Sequence, residues 1–218
     1  EADFVIHSAC RDIRNSMICP VEDSLVNVTG MVNLLSTCRK FNKPILYISS
    51  VSVYSEASHY AISKLCGEYY AKFYRQWIPT YIVRLSNVFG KGDGASVIGR
   101  WYEQDKITLI DPDHTRDFTF IGDVVEGIKR VIRAKPLDTI DIGTGVETSL
   151  GELAKWFSRR TGKPIEMMPK REIDNVEQRS VYEIEKMVKL IEFKPKPNLY
   201  EELDKCIDDY LWDPQKEY

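Results

Sequence analysis

Four short apolar runs set the frame of this chain: DFVIHSA (3–9), KPILYIS (43–49), TYIVRL (80–85) and DTIDIGTG (138–145). Stretches with apolar residues at helical spacing separate them. The runs are mostly apolar rather than alternating, so strands formed from them need cover on both faces. Strand, helix, strand in repetition predicts an α/β fold with a doubly wound parallel sheet. From about residue 90 onward the segments shorten and mix. That predicts a smaller C-terminal α+β portion packed at the carboxyl end of the sheet, where open α/β sheets bind ligands. The division expected is 1–90 for the sheet domain and 91–218 for the smaller portion, with about 118–142 returning to the sheet.

Helices are expected over 21–42, 59–77, 96–104, 122–134 and 148–162, and near 180–190 and 199–211. In the helix over 148–162, Ser149 and Glu152 stand as a capping box and Gly162 as the terminator. Short strands are expected at KITLI, RDFTF and KPIEMM. NVFGKGDG reads as a glycine-rich loop, and Gly143 and Gly145 read as turn glycines.

The charge totals exclude some partners. The net charge is −3 and no lysine/arginine block stands out, which argues against nucleic acid. The apolar runs are far too short to span a bilayer. The five cysteines are scattered and never spaced Cys-x-x-Cys, so neither a disulfide framework nor a metal site is expected, and a reducing cytoplasm is. Asn27-Val28-Thr29 fits a glycosylation sequon, a pattern common by chance. The chain opens at Glu1 directly into an apolar strand, which suggests a piece of a longer protein.

Three Tyr-x-x-x-Lys pairs occur: Tyr60/Lys64, Tyr102/Lys106 and Tyr182/Lys186. Chance supplies about one in a chain of this composition. Only Tyr60/Lys64 lies on a helix that directly follows a strand ending in serines, Ser49 and Ser50. At i and i+4 the pair shares a helix face. There an ammonium favours the phenolate and lowers the tyrosine pKa, and a serine hydroxyl can bond the oxygen where the proton moves. Tyr102/Lys106 straddles a helix–strand junction, and Tyr182/Lys186 reads as a pair of solvated side chains on a helix.

VIHSA, NVTGMVNLL, ILYISSVSVY, HYAISKLCGEYY, YIVRLSNVFGKG, TRDFTFIGDVVEGI and DIGTG occur in this order. Together they resemble the extended short-chain dehydrogenase/reductase family, above all its NAD-dependent sugar-nucleotide epimerases and dehydratases. Each motif alone is weak; seven in order are specific, and they cover nearly the whole chain. The resemblance implies a Rossmann-type sheet. It makes Tyr60 the acid/base, Lys64 its partner and nicotinamide-ribose ligand, and Ser50 the third catalytic hydroxyl. It places Ala9, Cys10, Asn27, Ser49 and Leu85, with Tyr60 and Lys64, against the cofactor. That cofactor is NAD, or on these residues NADP. Asn87 and Arg116 would hold the substrate's nucleotide diphosphate, with Arg179 a looser second contact. A guanidinium suits that task because it grips phosphate bidentately. The other reading of Arg116 is a surface arginine paired with Asp117.

The chain departs from the family in three places. No G-x-G-x-x-G occurs, and the first glycine is Gly30. The phosphate-cradling loop and the acidic ribose ligand would lie before Glu1. Ser50 and Tyr60 are ten residues apart, closer than the family places them. The segment after Gly94 is abbreviated. The family's 4,6-dehydratases carry an Asp-Glu pair after the catalytic Ser/Thr to eliminate water; here Val51 and Ser52 stand in those places. The resemblance therefore implies an epimerase, with C4 inversion through a 4-keto intermediate. A reductase, dehydrogenase or dehydratase of the same family is the alternative, and a non-catalytic scaffold is a further one if the chain is truncated.

Helix 59–77 is apolar on two sides. Ile62, Leu65, Tyr69 and Phe73 form a stripe expected to pack on the sheet. Tyr70, Tyr74 and Trp77 form a second stripe, expected to pair with another copy. Helix 21–42 likewise has Val28, Val32 and Leu35 on one side and Met31, Leu34 and Cys38 on another. A homodimer through these helices is expected, as the family commonly forms.

Overall fold

A computed structural model describes residues 2–94, 96–170 and 179–212. The chain begins with β1 (Val5–His7), α1 (Ile13–Ile18), α2 (Pro20–Asp23), a π-helical segment (Ser24–Thr29) and α3 (Gly30–Lys40). β2 (Ile45–Ser50), a 3₁₀ turn (Val51–Tyr54), α4 (His59–Tyr74) and β3 (Thr80–Leu85) follow. Next come β4 (Asn87–Phe89), α5 (Val97–Glu103), β5 (Ile107–Leu109), β6 (Thr115–Arg116) and β7 (Phe118–Phe120). After these run α6 (Ile121–Ala134), β8 (Ile140–Ile142), β9 (Thr148–Ser149), α7 (Leu150–Thr161) and β10 (Ile165–Met167). β11 (Arg179–Ser180), α8 (Glu185–Ile191) and α9 (Leu199–Trp212) complete the described elements.

Four strands form a wholly parallel sheet in the order β1-β2-β3-β8. Side chains alternate faces along a strand. Ile45 and Tyr47 of β2 pack with Met31 and Leu35 of α3 and Ala71 of α4. Leu46 and Ile48 pack on the other face with Val124 and Val131 of α6 and Met187 of α8. Both faces are therefore covered, as the unbroken apolar runs require. Each fully buried Leu or Ile contributes about 1.5–3 kcal/mol. A separate core joins α5, β5, β7, α7 and α9 around Trp101, Phe157, Ile107 and Leu203. This is the smaller C-terminal α+β portion. Ser149 caps α7 by accepting from Glu152 N at 3.3 Å, and Gly162 closes it with a left-handed φ of 74°.

Several elements differ from the sequence expectation. Helix 21–42 is broken by the π segment, where Gly30 N donates to Leu25 O, a five-residue step. α1 was not anticipated; its N-cap is Asp12, which accepts from Asn15 N at 2.9 Å. NVF is a strand, β4, pairing in parallel with β7. The last turn expected of α4 is absent, and α8 starts only at Glu185.

The stripe of α4 expected to pack on the sheet does not do so. Tyr69 and Phe73 are 63% and 60% exposed, and Ile62 is half exposed. The side facing the sheet carries Ala61, Lys64, Gly67, Glu68 and Ala71. Small residues let the helix approach closely: a Cβ on Gly67 would meet the Tyr47 hydroxyl at 2.4 Å. Of the second stripe, Tyr74 is partly buried and bonds Ser36 at 2.9 Å, while Tyr70 and Trp77 are 41% and 38% exposed.

Among the described residues no helix is long and apolar enough to cross a membrane, and no group of His, Cys, Asp and Glu could hold a metal ion. All five cysteines are free thiols.

Candidate active site

The site is organised by the first turn of α4. Ser58 caps that helix, its Oγ accepting from Ala61 N at 3.1 Å. Tyr60 follows in the first turn, where a backbone N–H finds no partner inside the helix. Ser16 Oγ, wholly buried on α1, accepts that N–H at 3.1 Å. The backbone of Tyr60 is thus pinned from a second element. Its half-buried side chain reaches the end of β2, near enough to Ser50 for that hydroxyl to stabilise the phenolate. Ser50 Oγ is held in turn by Ser52, accepting from its N–H at 3.2 Å and donating to its Oγ at 3.0 Å.

Lys64 lies one turn further along the same face. Only 2% of it is exposed, and its Nζ donates to Ile48 O at 2.9 Å. The Nζ stands 5.1 Å from the Tyr47 ring centroid and 5.7 Å from that of Tyr60. Ser50, Tyr60 and Lys64 therefore converge at the carboxyl ends of the parallel strands. Burial pushes the Tyr60 phenol up from its ordinary value, with Cys10 adding to the rise and Ser50 opposing it. The lowering by Lys64 anticipated from the sequence is not what governs this tyrosine; burial is. Burial pulls Lys64 itself down, while Cys10 and Asp23 hold it up.

Asn27 sits inside the π segment, 2% exposed. Its Oδ1 accepts from Arg11 N at 2.8 Å, and its Nδ2 donates to Asp23 Oδ1 at 2.7 Å and Ser63 Oγ at 3.1 Å. Ser63 Oγ donates to Tyr60 O at 3.0 Å. Asn27 thereby ties the loop after β1 to α4, and its burial rules out the sequon as a glycan acceptor. The π turn bulges the helix at this one asparagine, a device often found at functional sites.

The remaining expected residues are spread along the same ends. Ala9 and Cys10 lie exposed beyond β1. Leu85 pairs in register with Ser50 and leans on the α6/α8 core. Ser49 is 3% exposed and its hydroxyl donates to Glu68 Oε1 at 2.8 Å, so that side chain is committed to α4 rather than to a ligand. Asn87 opens β4, half-buried, its side chain without a hydrogen bond among the described residues. Arg116, half-buried on β6, donates from Nη1 to Thr115 O at 2.6 Å. β11 pairs with β6, which sets Ser180 opposite Arg116 and brings Arg179 alongside. Arg179 is bound to Glu147 through Nε at 2.9 and 3.0 Å, its side chain 69% exposed. Asp117 is not the partner of Arg116: it is 1% exposed and accepts from Thr144 N, Thr144 Oγ1 and Gly145 N.

In the other two Tyr/Lys pairs the lysines, Lys106 and Lys186, are exposed as expected, while the tyrosines are partly buried in packing. Tyr102 packs edge-on against Phe157 and donates to Leu203 O at 3.3 Å; Lys106 pairs with Glu166. Tyr182 precedes α8 and stacks on Tyr54, ring centroids 4.9 Å apart.

Sequence reasoning passed over His7, Ser16, Asp23, Ser63, Glu68 and Arg84. A signal existed for two of them. Arg84 interrupts the apolar run TYIVRL, and Glu68 lies one turn after Lys64, so each demands a buried partner. His7, 8% exposed, leaves Nε2 without a partner in the wall of the site, held down by burial and by Lys64.

These residues fit the nicotinamide end of a dinucleotide. A buried ammonium, a phenol, a serine hydroxyl and exposed backbone at Ala9–Cys10 line one place, and His7 Nε2 is an unsatisfied polar atom beside it. A diphosphate-cradling glycine loop is not among the residues of this sequence.

Compared with known families, residues 1–143 match the NAD dependent epimerase/dehydratase family. The chain belongs to that family. A Methanocaldococcus jannaschii relative, whose name carries a provisional UDP-glucose 4-epimerase assignment, is 34% identical over 182 residues, 70% of this chain and 59% of its own length. Like other curated relatives of the family, it is only partly spanned by the chain. Among solved structures, an epimerase from Methanothermobacter thermautotrophicus superposes with a TM-score of 0.88 at 24% identity, covering 96% of this chain and 71% of its own. The UDP-glucuronic acid 4-epimerase of Bacillus cereus, solved with UDP-glucuronic acid and NAD, gives 0.87 at 23% identity, covering 96% and 75%. These establish a Rossmann-type fold for this member of the family.

Proposed function

We propose that this chain carries the catalytic half of a nucleotide-sugar 4-epimerase that acts on a UDP-hexose with NAD. The observation that supports it most is the convergence of Ser50, Tyr60 and Lys64 at the strand ends. NAD, when bound, supplies the hydride acceptor and donor. Tyr60 takes the proton of the sugar C4 hydroxyl and returns it after the 4-keto sugar has turned its other face. Ser50 bonds the same oxygen and Lys64 supports the charge on the phenolate. Lys64, Asn27 and the backbone at Ala9 and Cys10 face the cofactor, with Leu85 as an apolar wall. Asn87 and Arg116 hold the diphosphate; Arg179 joins them by exchanging Glu147 for phosphate.

The residues after Ser50 favour epimerisation over elimination. Val51 is 4% exposed and Ser52 is turned back onto Ser50, so no carboxyl pair is present there to remove water. The names of the relatives, a UDP-glucose and a UDP-glucuronic acid 4-epimerase among them, support the substrate class. Residues 1–90 with 118–142 serve as the dinucleotide-binding part and the rest of 91–218 as the substrate part. The enzyme is a cytoplasmic homodimer; the five free thiols and the exposed aromatic side of α4 support that reading.

Proton NMR in deuterated water tests the reaction. UDP-glucose and UDP-galactose, or the corresponding uronic acids, should interconvert with no deuterium entering the sugar, because the hydride returns to the carbon it left. Deuterium at C5, or loss of water or carbon dioxide, contradicts the reading.

A further inference from the structure

Tyr54 is half exposed, yet its side chain is held by three neighbours. Its hydroxyl donates to Asp141 Oδ2 at 2.5 Å, the Arg84 guanidinium lies 4.6 Å from its ring centroid, and it stacks on Tyr182 at 4.9 Å. Burial pushes its phenol up to about 12, and the bond to Asp141 adds to the rise, so the hydroxyl stays a donor at neutral pH. Arg84 of β3 is in register with Asp141 of β8 on one side and with Ser49 of β2 on the other. Register partners sit side by side on one face of a sheet, so these three form a rung. Glu68 ties Ser49 to Arg84, and Tyr54 ties Arg84 to Asp141. Asp141 Oδ1 is buried without a partner among the described residues, which leaves that carboxylate dependent on the Tyr54 bond.

This anchor holds the turn that carries Ser50. Val51–Tyr54 is a single 3₁₀ turn, an element whose own bonds are poor and whose place depends on its surroundings. Ser50 is its N-cap: the Oγ accepts from Ser52 N at 3.2 Å and donates to Ser52 Oγ at 3.0 Å. Val51 and Val53 are buried, and Ser55 closes the far end, donating from N and Oγ to Ser52 O at 3.2 and 3.0 Å. The direction of the Ser50 hydroxyl is therefore set by Ser52, and Ser52 lies between Ser50 and the anchored Tyr54. We propose that Tyr54 is a positioning residue for Ser50, fixing the turn from its carboxyl end so that the Ser50 hydroxyl stays beside the Tyr60 phenol. The catalytic meaning rests on the epimerase reading; the mechanical relation does not.

Amide hydrogen exchange followed by NMR, with turnover measured on the same full-length protein, tests it. Tyr54→Phe keeps the ring contacts and loses the bond to Asp141. The Ser52 amide, which bonds Ser50 Oγ, should exchange roughly tenfold faster in that variant, and faster still in Tyr54→Leu. A Ser52 rate unchanged in both variants overturns the proposal and leaves the epimerase reading untouched. In turnover, kcat should fall about tenfold in Tyr54→Phe, with KM and NAD affinity unchanged. In a Ser50→Ala background the same substitution should cause no further loss, because no hydroxyl is left to place. An unchanged kcat, or an equal additional loss in that background, overturns the proposal, since Tyr54 then does not act through Ser50. Ser50→Ala at the wild-type rate overturns it too, and with it the role of Ser50 in the epimerase reading.

Discussion

Arg84 grips Glu68 through two hydrogen bonds of 2.7 Å, directly beneath the strand end that presents Ser50. Glu68 is wholly buried and also accepts from Ser49, so strand β2, strand β3 and helix α4 meet at one carboxylate. Removing one partner of a buried pair strands the other. Arg84→Met should therefore cost ~3–5 kcal/mol of stability in urea unfolding. A loss below about 1 kcal/mol would show that the pair is replaceable by packing.

The same pair sets a pH dependence. Burial pushes Glu68 up, but the bonds from Arg84 and Ser49 overcome it and leave the carboxyl below its ordinary value. A carboxyl depressed in the folded state stabilises above its unfolded pKa, about 4.3, and that stability is lost as pH falls through the lower folded value. Thermal melts should show stability declining below about pH 4.3 in the wild type. Glu68→Gln should flatten that part of the decline. An unchanged acid limb in the variant would assign acid sensitivity to other groups.

The four parallel strands were legible because nothing but a doubly covered sheet accommodates runs such as ILYIS and TYIVRL. The orientation of α4 was not. Its sheet-facing side is made of Ala61, Gly67 and Ala71 with Lys64 and Glu68, which no apolar periodicity reveals. Tyr69 and Phe73 carry the stronger apolar signal and face outward. Tyr60 and Lys64 were legible from their spacing and their place after a serine-ended strand. Ser16 and Asp23 were not, because they meet the site from a short helix and a single turn whose positions depend on tertiary packing. β6, β9 and β11 are two residues each, too short for any pattern to mark.

The outward side of α4 should be an interface. Tyr69, Tyr70 and Phe73 on α4, with Trp77 in the turn after it, together expose a large aromatic surface, more than single scattered apolar residues do. Light scattering at micromolar concentration should give twice the chain mass. Phe73→Glu should return it to the monomer mass while leaving the circular dichroism spectrum unchanged. A wild-type monomer that persists on concentration contradicts the dimer.

Arg116 should act on binding rather than on chemistry. A diphosphate contact lies far from the reacting carbon and contributes equally to ground and transition states. In the full-length protein, Arg116→Ala should raise KM for the nucleotide sugar about tenfold or more and change kcat little. An unchanged KM with lowered stability would give Arg116 a structural role between β9 and β11 instead.

The central claim is that Tyr60 moves the proton. In the full-length protein, Tyr60→Phe removes one hydroxyl that the fold does not otherwise use, since Ser16 holds only the backbone of this residue. Interconversion of UDP-glucose and UDP-galactose, or of the uronic acid pair, should fall by ~10²–10⁴-fold. NAD affinity, measured by calorimetry on the same sample, should stay close to wild type. A Tyr60→Phe variant that turns over at near the wild-type rate, with NAD bound, would contradict the account.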